Sequence, residues 1–192
     1  MRAPLVFLLG AACGVAVMAA PHGIAHLHTA IRRTHNGGSH PAGETRAHTH
    51  AQFEFLANGV LDKVAPLFGA EKERVWAEDW NPTFLHPQPA VDQEGMVFTV
   101  DHHGHHAVWV NTQLDLKNGH IQYVYVIPEA MATVIELRLT AAGDKTRVLV
   151  SYERTALSVE TDEHVLRMAE GDQRSGPDWE RSVNGYLDKA GK

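Results

Sequence analysis

The sequence predicts an α+β domain in which a curved antiparallel sheet wraps around a long C-terminal helix. Three observations carry that expectation. A short alternating strand, Gln52-Phe-Glu-Phe-Leu56, is separated from the other strands by two short helical stretches. Five strand-like segments then run from Met96 to Thr155 with short turns between them, the pattern of an antiparallel meander rather than of βαβ units. Beyond Thr155 the hydrophobic period becomes that of a helix. A sheet that grips a helix in this way leaves a cavity between the two, so the order of elements bears on function.

Each element follows from local chemistry. Asn58-Gly59 ends the first strand. Val60, Leu61, Val64 and Leu67 recur at roughly helical spacing, and Pro66 limits that helix to a short one. After Gly69, residues 71–77 predict a second short helix with Val75 and Trp76 facing inward. Residues 80–86 are extended, because Pro82, Pro87 and Pro89 exclude helix. Met96–Val100 and Ala107–Thr112 flank the polar turn Asp101-His-His-Gly-His-His106. A two-residue or a four-residue loop gives the same register there: Asp101 opposite His106, Val100 opposite Ala107, and Phe98 opposite Trp109 as an aromatic cross-strand pair.

Lys117-Asn118-Gly119 turns the chain into Ile121–Ile127, where aromatic and aliphatic residues alternate. Both faces of this strand can therefore be buried. Tyr123 and Tyr125 face inward, or Val124 and Val126 do. After Pro128-Glu129, the strand Ala132–Leu139 places Ile135, Leu137 and Leu139 on one face and Glu136 and Arg138 on the other. A loop at 141–145 precedes the last strand, Arg147–Thr155. Val165, Met168 and Ala169 then share a helical face, which resumes after Gly176-Pro177 at Trp179, Val183, Tyr186 and Leu187. Pro177 suits a first turn better than a helix interior, so the expectation is a kinked helix or two collinear ones.

At 192 residues and 44% hydrophobic content, the chain can build one good core but hardly two. A formal charge of -6 with no basic stripe argues against nucleic acid and against electrostatic docking on anionic lipid. The one cysteine, Cys13, lies in the N-terminal apolar segment, which leaves the globular part without a disulfide, a thiolate metal site or a cysteine nucleophile. Arg2, the apolar run that follows it to Ala20 and the small residues around Ala19 predict a signal peptide over residues 1–19. An uncleaved anchor through residues 4–20 is the alternative, and lipidation of Cys13 a minor third. Each places the domain outside the cytoplasm, periplasmic or secreted.

Residues 20–48 read as a flexible linker, and 49–190 as the folded domain. Half of the fourteen histidines fall between positions 21 and 50, with His26-x-His28 and His48-x-His50 the best local pairs. Their irregular spacing, without cysteine or carboxylate support, suits weak metal capture better than a fixed site.

The element order, together with the phrases Val64-Ala-Pro-Leu-Phe-Gly-Ala70, Trp76-Ala-Glu-Asp-Trp80 and Tyr152-Glu-Arg-Thr155, resembles the START-like helix-grip superfamily, also called SRPBCC or polyketide-cyclase-like. The likeness is to its small uncharacterised bacterial members and covers about 140 residues, an ordinary domain size. It implies a seven-stranded sheet gripping the last helix around a hydrophobic cavity. It implies no reaction, because the superfamily includes lipid and hormone carriers, cyclases and aromatases, and ligand-binding domains of oxygenases. A Rieske-type cluster of Cys and His is absent, and the exported histidine-rich leader departs from the usual cytoplasmic members.

The candidate pocket residues are Trp76, Trp80, Phe84, Phe98, Trp109, Tyr123, Tyr125, Tyr152, Arg154 and Trp179. Aromatics of this kind are also the ordinary material of a core. Glu153 and Arg154 are strand neighbours and so point to opposite faces: an inward Arg154 would anchor a ligand carboxylate, an inward Glu153 would serve as a base. The turn at 102–106 could contribute to a zinc or copper site only with ligands from elsewhere, such as His86 or His120. These readings describe an exported protein that binds a small hydrophobic molecule between sheet and helix, without a cofactor or dedicated metal. The alternatives are an enzyme on the same fold (cyclase, isomerase or hydrolase) using Glu153, Tyr123 or His120, and an envelope metal-binding protein using the leader and the turn.

Overall fold

The computed structural model describes residues 45–191 apart from His103 and Gly104. The signal or anchor segment and nearly all of the predicted linker lie outside the described residues. Strand β1 (His48–Ala57) turns Ala51, Phe53, Phe55 and Ala57 inward and sends the residues between them toward solvent. Its first residues, His48 and His50, share the outer face, so this histidine pair belongs to the sheet rather than to the leader. Helix α1 (Leu61–Val64) passes directly into a 3₁₀ turn, Ala65–Phe68, with Pro66 at its start where no amide hydrogen is needed. A second 3₁₀ turn covers Lys72–Val75.

This second turn corrects the expected inward pair. In a 3₁₀ helix residues three apart eclipse one another, which puts Glu73 and Trp76 on one face and Val75 on another. Glu73 is accordingly fully buried, and Val75 is 46% exposed.

The meander follows as β2 (Thr83–His86), β3 (Val97–His102), β4 (His105–Asp115), β5 (His120–Ile127), β6 (Met131–Ala142) and β7 (Lys145–Ala156). With β1 added beside β7, the seven strands form one antiparallel sheet in the order β1-β7-β6-β5-β4-β3-β2. The β3–β4 register is the expected one, with Asp101 opposite His106, Val100 opposite Ala107 and Phe98 opposite Trp109. Only one face of β5 is deeply buried. Ile121 and Tyr123 lie opposite Leu137 and Ile135 of β6, while Gln122 lies opposite Glu136. Since a strand alternates strictly, this pairing directs Ile121, Tyr123 and Tyr125 inward and Val124 and Val126 outward.

Gly119, between β4 and β5, has φ +66°, and a Cβ there would sit 2.2 Å from the Leu139 carbonyl oxygen. Both the backbone conformation and the close approach demand glycine.

The C-terminal stretch forms two helices, α2 (Val159–Asp172) and α3 (Gly176–Ala190), with Pro177 in the first turn of α3. Val165, Met168, Trp179 and Val183 are buried as expected. Helix α2 packs on β1 and β7, and α3 on β1. The helices therefore cover one side of the sheet. On the same inward face, toward the β2–β4 end of the sheet, Trp80 from the loop after the second 3₁₀ turn packs on Phe98 and Trp109.

Candidate ligand-binding interior

The aromatic side chains on the inward face form two touching groups. Around Trp179 of α3 stand Phe53 at 5.3 Å between ring centres, Trp76 at 5.4 Å, and Phe68 nearly parallel at 6.4 Å. Across the sheet Trp109 stacks on Tyr125 at 4.3 Å and on Phe98 at 5.7 Å. Tyr152 joins the first group through Phe53, at 6.3 Å. Phe84 departs from the expectation of a buried pocket residue. It lies on the short edge strand β2, half-buried, reaching the interior only through Phe98 at 5.7 Å.

Three of these residues have their polar atoms committed to the fold. The chain from Leu67 to Ala70 joins the two 3₁₀ turns and leaves carbonyls pointing into the interior. Trp76 Nε1 donates to the Leu67 carbonyl at 2.7 Å, Trp80 Nε1 to the Ala70 carbonyl at 2.7 Å, and the Tyr123 hydroxyl to the Phe68 carbonyl at 2.9 Å. Burial, followed by the Glu73 carboxylate, pushes the Tyr123 hydroxyl far above its usual pKa, so it acts as a donor and not as a base.

Arg154 forms the polar centre of the interior. It is fully buried, points inward from β7 and lies with its guanidinium carbon 4.3 Å from the Tyr152 ring centre. Its neighbours across the sheet are Thr49 on β1, Thr133 on β6 and, opposite Thr133, Tyr125 on β5. Its Nη1 donates to Oδ2 of Asp172, the last residue of α2. Arg154 Nε and Nη2, Asp172 Oδ1, Thr133 Oγ1 and Trp109 Nε1 are buried without a hydrogen-bond partner. Burial by itself would lower the Arg154 pKa, but Tyr125, Asp172 and Tyr152 outweigh it and the guanidinium stays charged. Burial raises Asp172 to about 6 despite its arginine partner.

No protein-family model matches this chain, and no curated protein matches it in sequence. Solved structures match it in fold. A norcoclaurine synthase from Thalictrum flavum, in complex with a transition-state analogue, gives a TM-score of 0.58 at 9% identity over 78% of this chain and 100% of that one. A hypothetical protein from Helicobacter pylori gives 0.53 at 15% identity over 85% and 99%. Ara h 8.0201 gives 0.52 at 11% identity over 74% and 99%. The fold is the START-like helix grip. At such identities the likeness is one of architecture alone.

Within this helix grip, several residues singled out from the sequence stand away from the interior. Glu153 faces solvent on the outer side of β7, so it cannot act as an inward base. His120 lies on the outer face of β5, where Nε2 is 3.0 Å from Glu136 Oε1. His106 Nδ1 meets Asp101 Oδ1 at 2.6 Å on an exposed hairpin end. His86 and His120 both sit at the opposite ends of their strands from that hairpin, so neither completes a metal site with it. Among the described residues no three His, Cys, Asp or Glu side chains converge as metal ligands.

Glu73 and Asp172 are the charged interior residues that the sequence patterns did not single out. A signal existed for Asp172. It lies seven residues after Val165 and four after Met168, so it falls on the apolar stripe of α2. Two clefts also open on the surface. One of about 280 Å³ lies between the second 3₁₀ turn and α3, where Trp76 and Tyr186 meet Arg181 and Lys189. The other, about 330 Å³, is lined by Pro66, Val91, Asp92 and Leu114.

Proposed function

We propose that this chain binds a small, largely apolar molecule between the sheet and its C-terminal helices, with Arg154 as the polar anchor. The observation that carries the reading is the buried Arg154 guanidinium, which has two nitrogens without a partner in an aromatic surround. A core built only for stability has no use for such a group, because each buried polar atom left unpaired costs about 1–3 kcal/mol. A bound polar head would satisfy those atoms, and Trp109, Tyr125 and Phe53 would supply the apolar contacts. The same fold houses small aromatic molecules elsewhere: a norcoclaurine synthase structure is in complex with dopamine and hydroxybenzaldehyde.

Native mass spectrometry of the protein recovered from its own source tests the reading. A retained small molecule, released on denaturation, is expected. A bare chain under gentle conditions, together with no shift in melting temperature across a panel of apolar acids, alcohols and ketones, would contradict it.

The N-terminal segment supports a role outside the cytoplasm, since Arg2 and the apolar run to Ala20 have the form of a signal peptide. N-terminal sequencing of the mature protein should find Ala20 first. A chain beginning at Met1 in the cytoplasmic fraction would contradict export. Among the described residues no helix is long and apolar enough to cross a membrane.

A further inference from the structure

The polar centre also indicates the chemical class of the ligand, an inference that rests on the binding reading above. In a guanidinium group, Nε–H and one Nη2–H lie along a single edge, and that edge matches the two oxygens of a carboxyl group. Asp172 bonds to Nη1, and Nε and Nη2 have no hydrogen-bond partner of normal geometry, the Tyr125 hydroxyl being the protein group that faces the guanidinium there. On the carboxylate that meets Nη1, Asp172 Oδ1 is a buried acceptor without a donor. A fork of two donors next to one acceptor is complementary to a carboxylic acid: its oxygens accept from the fork and its proton is donated to Asp172.

Charge leads to the same conclusion. Arg154 and Asp172 together are neutral, so an added carboxylate would leave one uncompensated negative charge in an apolar interior. A single proton held between the two carboxyl groups removes that charge. The other groups facing the pair are Tyr125 from β5, Thr133 from β6 and Tyr152 from β7, with the buried Glu73 acting on Tyr152 at longer range. From β1 the Thr49 hydroxyl side chain lies opposite Arg154 on the same face, next along the strand from apolar residues such as Phe53, and from α3 Trp179 turns inward. None of these offers a second cation. The burial that already raises the proton affinity of Asp172 favours the same arrangement.

We propose that the ligand is an apolar carboxylic acid seated on the Nε–Nη2 edge of Arg154, and that its anion takes up one proton on binding, shared between its carboxyl group and Asp172. No covalent bond is made or broken, and the proton comes from solvent.

Isothermal titration of the full chain tests this with two matched pairs, 2-naphthoic acid against 2-naphthalenemethanol and decanoic acid against decanol. The titrations are run at pH 7 in phosphate and in Tris, whose ionisation enthalpies differ. The acid of at least one pair should bind about tenfold or more tightly than its alcohol, the size of one good charge-assisted contact. The buffer dependence of the heat should report uptake of about one proton per acid bound.

Equal binding of acid and alcohol would overturn the assignment while leaving the binding reading intact. Acid preference without proton uptake would overturn the shared proton. If neither pair binds, the binding reading fails with it. These outcomes need no variant. Arg154→Lys adds a check where it folds, because it keeps the charge, lacks the fork and should lose the preference for acid.

Discussion

Arg154 on β7 and Asp172 at the end of α2 form an ion pair across the boundary between sheet and helix, each only 1% exposed. Such a pair is a weak source of stability, because removing two charges from water offsets most of their attraction. Breaking it is another matter. Asp172→Ala should cost about 3–5 kcal/mol in urea unfolding, because it strands a buried guanidinium. The double change Arg154→Met with Asp172→Leu should recover most of that loss and abolish ligand binding. A double variant as unstable as Asp172→Ala would show that the pair itself holds α2 on the sheet.

The same carboxyl sets a pH dependence of unusual sign. Burial holds Asp172 at about 6, above its usual 3.8. The stability it contributes is therefore fully present below 3.8 and is lost as pH rises through about 6. The roughly two-unit difference corresponds to about 3 kcal/mol between pH 4 and pH 7. Unfolding of the wild type and of Asp172→Asn across that range isolates the effect. The difference between the two should shift against the wild type as pH rises, and a difference that stays flat would contradict the burial-raised carboxyl.

Tyr123 separates structure from binding. Its hydroxyl is used by the Phe68 carbonyl, so Tyr123→Phe should destabilise by about 1–2 kcal/mol in chemical denaturation. Ligand affinity should stay within about twofold of wild type. A tenfold loss of affinity at unchanged stability would place Tyr123 in the binding site.

Gly119→Ala should be among the most costly surface-turn changes. The new Cβ would meet the Leu139 carbonyl oxygen at 2.2 Å, and the positive φ adds strain of about 1 kcal/mol or more. Gly143 also has a positive φ, but nothing lies within 4 Å of its Cβ position. Comparing the melting of Gly119→Ala with that of Gly143→Ala therefore separates the steric part from the conformational part. Equal losses at the two sites would remove the close contact from the explanation.

The parts of this molecule that sequence makes legible are those governed by a strict period. Alternation and turn chemistry placed Asp101 opposite His106 and Phe98 opposite Trp109, and the helical stripe placed Val165, Trp179 and Val183 inward. On β5 the alternation of tyrosine with valine carried no polarity, and only pairing with Glu136 on β6 decided the inward face. Glu73 was hidden by the assumption of an α-helical period where the chain makes a 3₁₀ turn. Arg154 was recognised as one of two strand neighbours, and the partner that completes it lies on another element. No local pattern states that pairing, although an aspartate on the apolar stripe of α2 is itself a sign of a buried cationic partner.

The sheet–helix interior at Arg154 is the proposed seat of the ligand. Its most direct test is a crystal structure of the protein grown with 2-naphthoic acid. The molecule is expected against Arg154 Nε and Nη2, with its rings beside Trp109 and Tyr125. Occupancy of only the 280 Å³ cleft at Trp76 or the 330 Å³ cleft at Asp92, with Arg154 unchanged, would contradict it.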